Sequence, residues 1–104
     1  MFQQLRRLQT FKQQYLAHFQ SPVANSIIIE IGYHQERGQP LTVKGLILLN
    51  LGAPATVRRH LQRLVHLGLV HKRRVRHDGR SYQLEVDSVV RQAYAKYLKL
   101  ISRL

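Results

Sequence analysis

Two short helices with a tight turn between them, then a basic ribbon, follow in unbroken order from Leu41 to Val86, and few folds accept that order. Leu41-Thr42-Val43-Lys44-Gly45-Leu46-Ile47-Leu48-Leu49 reads as a short apolar helix closed by Asn50-Leu51-Gly52. Pro54 to Val65 opens a second helix, and Gly68 ends it. After Leu69-Val70 comes a basic strand, a His77-Asp78-Gly79-Arg80 turn and a return strand through Tyr82, Leu84 and Val86. Asp-Gly favours a hairpin because a primed turn needs positive φ at its centre. Two helices joined tightly, the second rich in arginine, make a helix-turn-helix, and the ribbon behind them makes a winged one.

The flanking segments read as helices. Phe2, Leu5, Leu8, Phe11, Tyr15 and Phe19 recur every three or four positions, one stripe of an amphipathic helix over residues 1–20. Ser21-Pro22 restarts the chain: serine supplies a cap oxygen, and proline at the first helical position gives up an amide that has no partner anyway. Val23 to Glu36 leaves two readings, because Ile27, Ile28, Ile29 and Ile31 are β-branched and suit a buried strand. The Ser-Pro start and the length to Arg37 favour a helix, broken at Gly38-Gln39-Pro40. Across the helix-turn-helix, Leu46, Leu49 and Leu51 are expected to face Val57, Leu61 and Leu64. Asp87 or Ser88 can cap a last helix, where Val90, Tyr94, Tyr97, Ile101 and Leu104 are spaced 4-3-4-3. The expected architecture is mainly α with a small β-ribbon. It forms one domain of 104 residues, with a winged-helix core over 21–86 and end helices over 1–20 and 87–104.

Charge says what such a chain meets. Seventeen Lys and Arg against five Asp and Glu give a formal net charge of +12, which calls for a polyanion, either nucleic acid or an anionic membrane surface. An apolar share of 44% keeps the chain globular despite that charge. The excess is local: ten basic residues lie between Arg37 and Arg80, where Asp78 is the sole acid. The longest apolar runs, Ile27-Ile28-Ile29 and Leu46-Ile47-Leu48-Leu49, are too short to span a membrane, and no apolar core follows the N-terminal arginines. A cytoplasmic setting without a membrane partner is the expectation. Without cysteine, disulfides and thiolate chemistry are excluded.

About 100° of rotation per residue sorts the basic helix. Val57, Leu61 and Leu64 fall on one side, Ala55, Arg59, Gln62 and Arg63 on the other, and Thr56 and Arg58 on the flanks. Small residues at the N-terminal end let backbone approach phosphate, and the free amides and helix dipole attract it. Arginine pairs bidentately with guanine and glutamine with adenine, so Arg59 and Gln62 or Arg63 are the expected base readers. The ribbon carries Lys72, Arg73, Arg74, Arg76 and Arg80. Alternation sends Lys72, Arg74 and Arg76 to one face and Arg73 to the other. Lys72, Arg73 and Arg74 are expected to grip backbone, while an arginine near the tip can enter a narrow minor groove. A solvated basic face or edge protection is the plainer reading, but five cations in nine residues exceed what protection requires.

Gly52-Ala53-Pro54-Ala55-Thr56-Val57-Arg58-Arg59-His60-Leu61, then Leu64, Gly68-Leu69-Val70 and Asp78-Gly79-Arg80, resemble MarR-type winged-helix transcriptional regulators. The resemblance covers Leu41 to Val86, and Val86-Asp87 departs from the family's usual Leu-Thr at the close of the wing. It implies that Asp78 braces Arg80 and that Arg80 reaches the minor groove. It also implies a homodimer, joined through the N- and C-terminal helices, on a near-palindromic operator. Phe2, Leu5, Leu8, Phe11, Tyr94, Tyr97, Ile101 and Leu104 are the expected interface.

Other functions have less support in the residues. His18, His34, His60, His66, His71 and His77 include no pair spaced for one helix face with a third ligand nearby, and the basic surroundings repel a cation, so no metal is expected. No cofactor is expected either. Glu30, Glu36, Asp78, Glu85 and Asp87 are scattered, no glycine-rich phosphate loop exists, and nothing pairs a nucleophile with a base. The tyrosines suit packing more than an effector pocket, and no small-molecule effector is assigned. The leading expectation is a sequence-specific double-stranded DNA-binding regulator, with repression the expected direction. A winged-helix protein-interaction module and a non-specific nucleic-acid binder are the alternatives.

Overall fold

The computed structural model describes residues 1–74 and 82–103. In chain order these form α1 (Phe2–Tyr15), a 3-10 turn (Ala17–Phe19), α2 (Pro22–Glu36), α3 (Val43–Leu48), α4 (Pro54–His66), β1 (Val70–Arg74), β2 (Tyr82–Val86) and α5 (Ser88–Ser102). The mainly helical fold with a two-stranded antiparallel ribbon is the one the sequence suggests. Arg76, His77, Asp78, Gly79, Arg80 and Leu104 lie outside the described residues, and with them the wing turn.

The isoleucine-rich segment is helical because its burial follows helical spacing: Ala24, Ile27, Ile28 and Ile31 are buried, whereas Ile29 is half exposed. A strand would have buried every second residue. Pro22 takes the first helical position as expected, but Ser21, though at the cap position, makes no side-chain cap hydrogen bond. Thr42 does cap its helix: the Gly45 N–H donates to Thr42 Oγ1 at 3.0 Å.

The helix-turn-helix closes on Asn50 rather than Gly52, since Asn50 is the left-handed residue with φ of 56°. Asparagine tolerates that conformation better than other side-chain-bearing residues. Gly68, at φ of 75°, ends α4, with Leu69 N–H donating to Leu64 O at 2.9 Å and Gly68 N–H to Val65 O at 3.0 Å. This double closure turns the chain sharply into β1.

Ile27, Ile31, Leu46, Val57, Leu61, Leu64, Val70 and Leu84 form the driest part of the core. Leu49, expected among them, is exposed, because α3 ends one residue earlier and the chain turns outward there. The ribbon pairs Val70 with Val86, Lys72 with Leu84 and Arg74 with Tyr82. Its base is tied twice: Leu84 N–H donates to Leu41 O at 2.8 Å, and Val86 N–H to the Gln35 side chain at 2.8 Å. The base of the ribbon is thereby held to α2 and to the segment leading into α3.

At the chain's start the expected stripe breaks. α1 stops at Tyr15; Leu16 and Phe19, on the following turn, enter the core, and no residue of α1 is fully buried. Phe11 stacks on Tyr97 with ring centroids 6.1 Å apart, and Phe19 lies 5.7 Å from Tyr94. The two end helices thus meet within one chain. The radius of gyration, 14.8 Å, exceeds the roughly 13 Å usual for this length, and the long axis reaches 50 Å.

Candidate nucleic-acid interface

α4 places its side chains as helical rotation requires. Val57, Leu61 and Leu64 fill the core, Ala55, Arg59, Gln62 and Arg63 are exposed on the opposite side, and Arg58 is exposed on the flank. Thr56 and His60 are half buried along the boundary. Among the described residues none of Arg58, Arg59 and Arg63 has an ion-pair partner. Pro54 starts this helix after Ala53, which offers no capping side chain, so no side chain occupies its first amides, and the residues around them are small.

The ribbon divides its cations by face. Lys72 and Arg74 lie opposite Leu84 and Tyr82, on the side facing the helices; His71 and Arg73 lie opposite Glu85 and Gln83, on the far side. Arg73 Nε reaches Glu85 Oε2 at 2.9 Å, so its charge is already matched. Lys72 and Arg74 have Tyr82 instead, with the ammonium 6.0 Å and the guanidinium 5.7 Å from the ring centroid. Sequence alternation separates Arg73 from its neighbours, but the pairing with Glu85 requires the register and is not readable from spacing.

A second polar link joins the wing's root to α5. His71 Nε2 sits 2.7 Å from Asp87 Oδ1, and the other carboxylate oxygen accepts from Val89 N–H at 3.0 Å, capping α5. The His71 hydrogen bond, helped by that amide, holds the Asp87 carboxyl below its ordinary 3.8. A lowered folded value contributes stability that is complete above 3.8 and is lost as pH falls through the lowered value. Asp87→Asn is therefore expected to flatten the fall of the thermal midpoint below about pH 4, while an unchanged acid limb would contradict the link.

Among the expected interface residues, Phe2, Leu5 and Ile101 are exposed, at 76%, 49% and 40%. Leu8, Phe11, Tyr94 and Tyr97 are half buried against their own chain. Tyr94 is held further: its hydroxyl donates to Asn25 Oδ1 at 2.9 Å, and burial pushes its pKa up to about 12. Sequence reasoning missed Ile29, Tyr33 and Leu98, exposed apolar side chains that line a 410 Å³ groove between α2 and α5. The i, i+4 spacing of Ile29 and Tyr33 was the available signal, masked by the buried isoleucines beside it.

No protein-family model matches the sequence, and no curated protein does. Solved structures do match, over nearly the whole chain. A crystal structure of MarR superposes with a TM-score of 0.64 at 22% identity, over 96% of this chain and 71% of that one. Staphylococcus aureus MepR in its DNA complex gives 0.72 at 14% identity, over 94% and 78%. The heme sensor PefR, in complex with heme and carbon monoxide, gives 0.66 at 12% identity, over 97% and 68%. The fold is the winged helix that MarR and MepR share.

Proposed function

We propose that this chain is a sequence-specific double-stranded DNA-binding regulator that acts as a homodimer, with repression as its default output. The observation that carries the reading is the sorting of α4: its core-facing side is wholly apolar, and its outward side presents Arg58, Arg59, Gln62 and Arg63 without counter-charges among the described residues. A helix so charged lowers its self-repulsion by meeting a polyanion, and its width fits a major groove. Arg59 with Gln62 or Arg63 reads base edges, Lys72 and Arg74 grip backbone, Arg76 adds to the wing's charge, and Arg80, oriented by Asp78, enters the minor groove. The DNA-bound state of MepR, which shares the fold, supports the same use here.

The dimer rests on α1. A 14-residue helix with no fully buried residue is marginal in water by itself, and Phe2 and Leu5 continue its apolar stripe past the contact with α5. A partner copy covers that stripe by two-fold pairing, the commonest closed form.

The assay is a mobility shift with random duplex at low salt, set beside light scattering. Binding that weakens steeply with salt, from a particle of about twice 12.2 kDa, is expected. Leu5→Glu with Ile101→Glu, both at exposed positions, is expected to halve the mass and weaken binding. Failure to shift duplex at low salt would leave the protein-interaction module as the better reading. A monomeric wild type would remove the dimer.

A further inference from the structure

We propose that the cleft between the wing and the α3–α4 pair seats one sugar–phosphate strand, with Lys44 and Arg58 holding its phosphate and Tyr82 positioning Lys72 and Arg74 over it. The inference rests on the DNA-binding reading above and adds Lys44, Leu48 and Tyr82 to the contact surface. A helix in a major groove and a ribbon in the neighbouring minor groove are separated by one backbone strand. Whatever enters the space between α4 and the wing is therefore backbone.

That space is already shaped. A cleft of 580 Å³ is lined mostly by the α3 segment from Thr42 to Leu48, Val43 and Ile47 included, with Arg58 of α4 and Tyr82 of β2 closing it, and no carboxylate among the described residues lines it. Glu85, the acid nearest in the ribbon's sequence, pairs with Arg73 on the opposite face. Cations that converge without a counter-charge raise the energy of the free protein, and an entering phosphate removes that repulsion. Leu48 is 68% exposed at the cleft's rim, a poor place for leucine in water and a suitable one against the apolar edge of a deoxyribose.

Tyr82 is the positioning residue. Its ring lies beneath both wing cations, and its hydroxyl accepts from Arg74 Nη2 at 3.4 Å. The negative ring face offsets the repulsion between Lys72 and Arg74 and holds them on the helix-facing side. Without the ring, each cation remains but wanders, so the loss is of order rather than of charge.

The test measures binding to a random-sequence duplex as a function of salt for wild type, Lys44→Gln, Tyr82→Leu, Tyr82→Phe and, as a control on α5, Lys96→Gln. Lys44→Gln is expected to reduce the slope of log K against log salt by about one, and Lys96→Gln to leave it unchanged. Tyr82→Leu is expected to weaken binding with its charge intact, and Tyr82→Phe, which keeps the ring, to retain most of the affinity. Circular dichroism establishes that each variant is folded. A wild type that binds duplex while Lys44→Gln and Tyr82→Leu match it in affinity and slope overturns the cleft and leaves the DNA-binding reading standing. A wild type that does not bind duplex overturns both.

Discussion

Arg59→Ala is expected to weaken binding to a selected operator by about 1–3 kcal/mol and to relax preference at one position of each half-site. The side chain stands on the outward face of α4, opposite Val57, Leu61 and Leu64, and its removal disturbs nothing in the core. The loss therefore belongs to DNA contact rather than to folding. A lost phosphate contact would instead weaken all sequences alike and shallow the salt dependence. Competition between the selected site and random duplex separates the two cases. Equal losses on both would move Arg59 from base edge to backbone, and no loss on either would take α4 out of the major groove.

The largest effect on stability is expected at Ile31. It is fully buried on α2, the helix that packs against both α4 and β2. Ile31→Ala removes three carbons from a closed space that collapses only partly, at a cost of about 2–5 kcal/mol. Against the roughly 5–15 kcal/mol that holds a domain of this kind together, that is a large share. Urea unfolding should show a lower midpoint at an unchanged slope. DNA binding by the folded fraction should survive, because Ile31 lies in the core and the exposed side chains of α4 point away from it. A cost below about 1 kcal/mol, typical of an exposed site, would contradict the packing described.

The sorting of α4 was readable because one physical rule governs it: rotation per residue puts apolar and basic side chains on opposite faces, and nothing distant interferes. The isoleucine run was harder. Ile27, Ile28 and Ile29 satisfy a buried strand and a buried helix equally, and Ala24 with Ile31 decides only once burial is known. The break after Tyr15 carries no proline or glycine, so the stripe ran on through Phe19 on paper while Leu16 took a core position in the fold. Polar links were the least legible. Gln35 meets the Val86 amide across 51 residues, and His71 meets Asp87 across 16, distances at which spacing carries no information. The end helices show a different limit. An apolar stripe states that something covers it, and Phe11 with Tyr97 shows part of the cover to be the chain itself.

Selection of bound sequences from a random duplex pool tests the central claim most directly. A homodimer that reads bases through α4 should enrich a near-palindrome whose half-sites lie about one helical turn, roughly 34–36 Å, apart. Retention of duplex without any enriched sequence would contradict it, leaving the basic surface as a non-specific grip on the backbone.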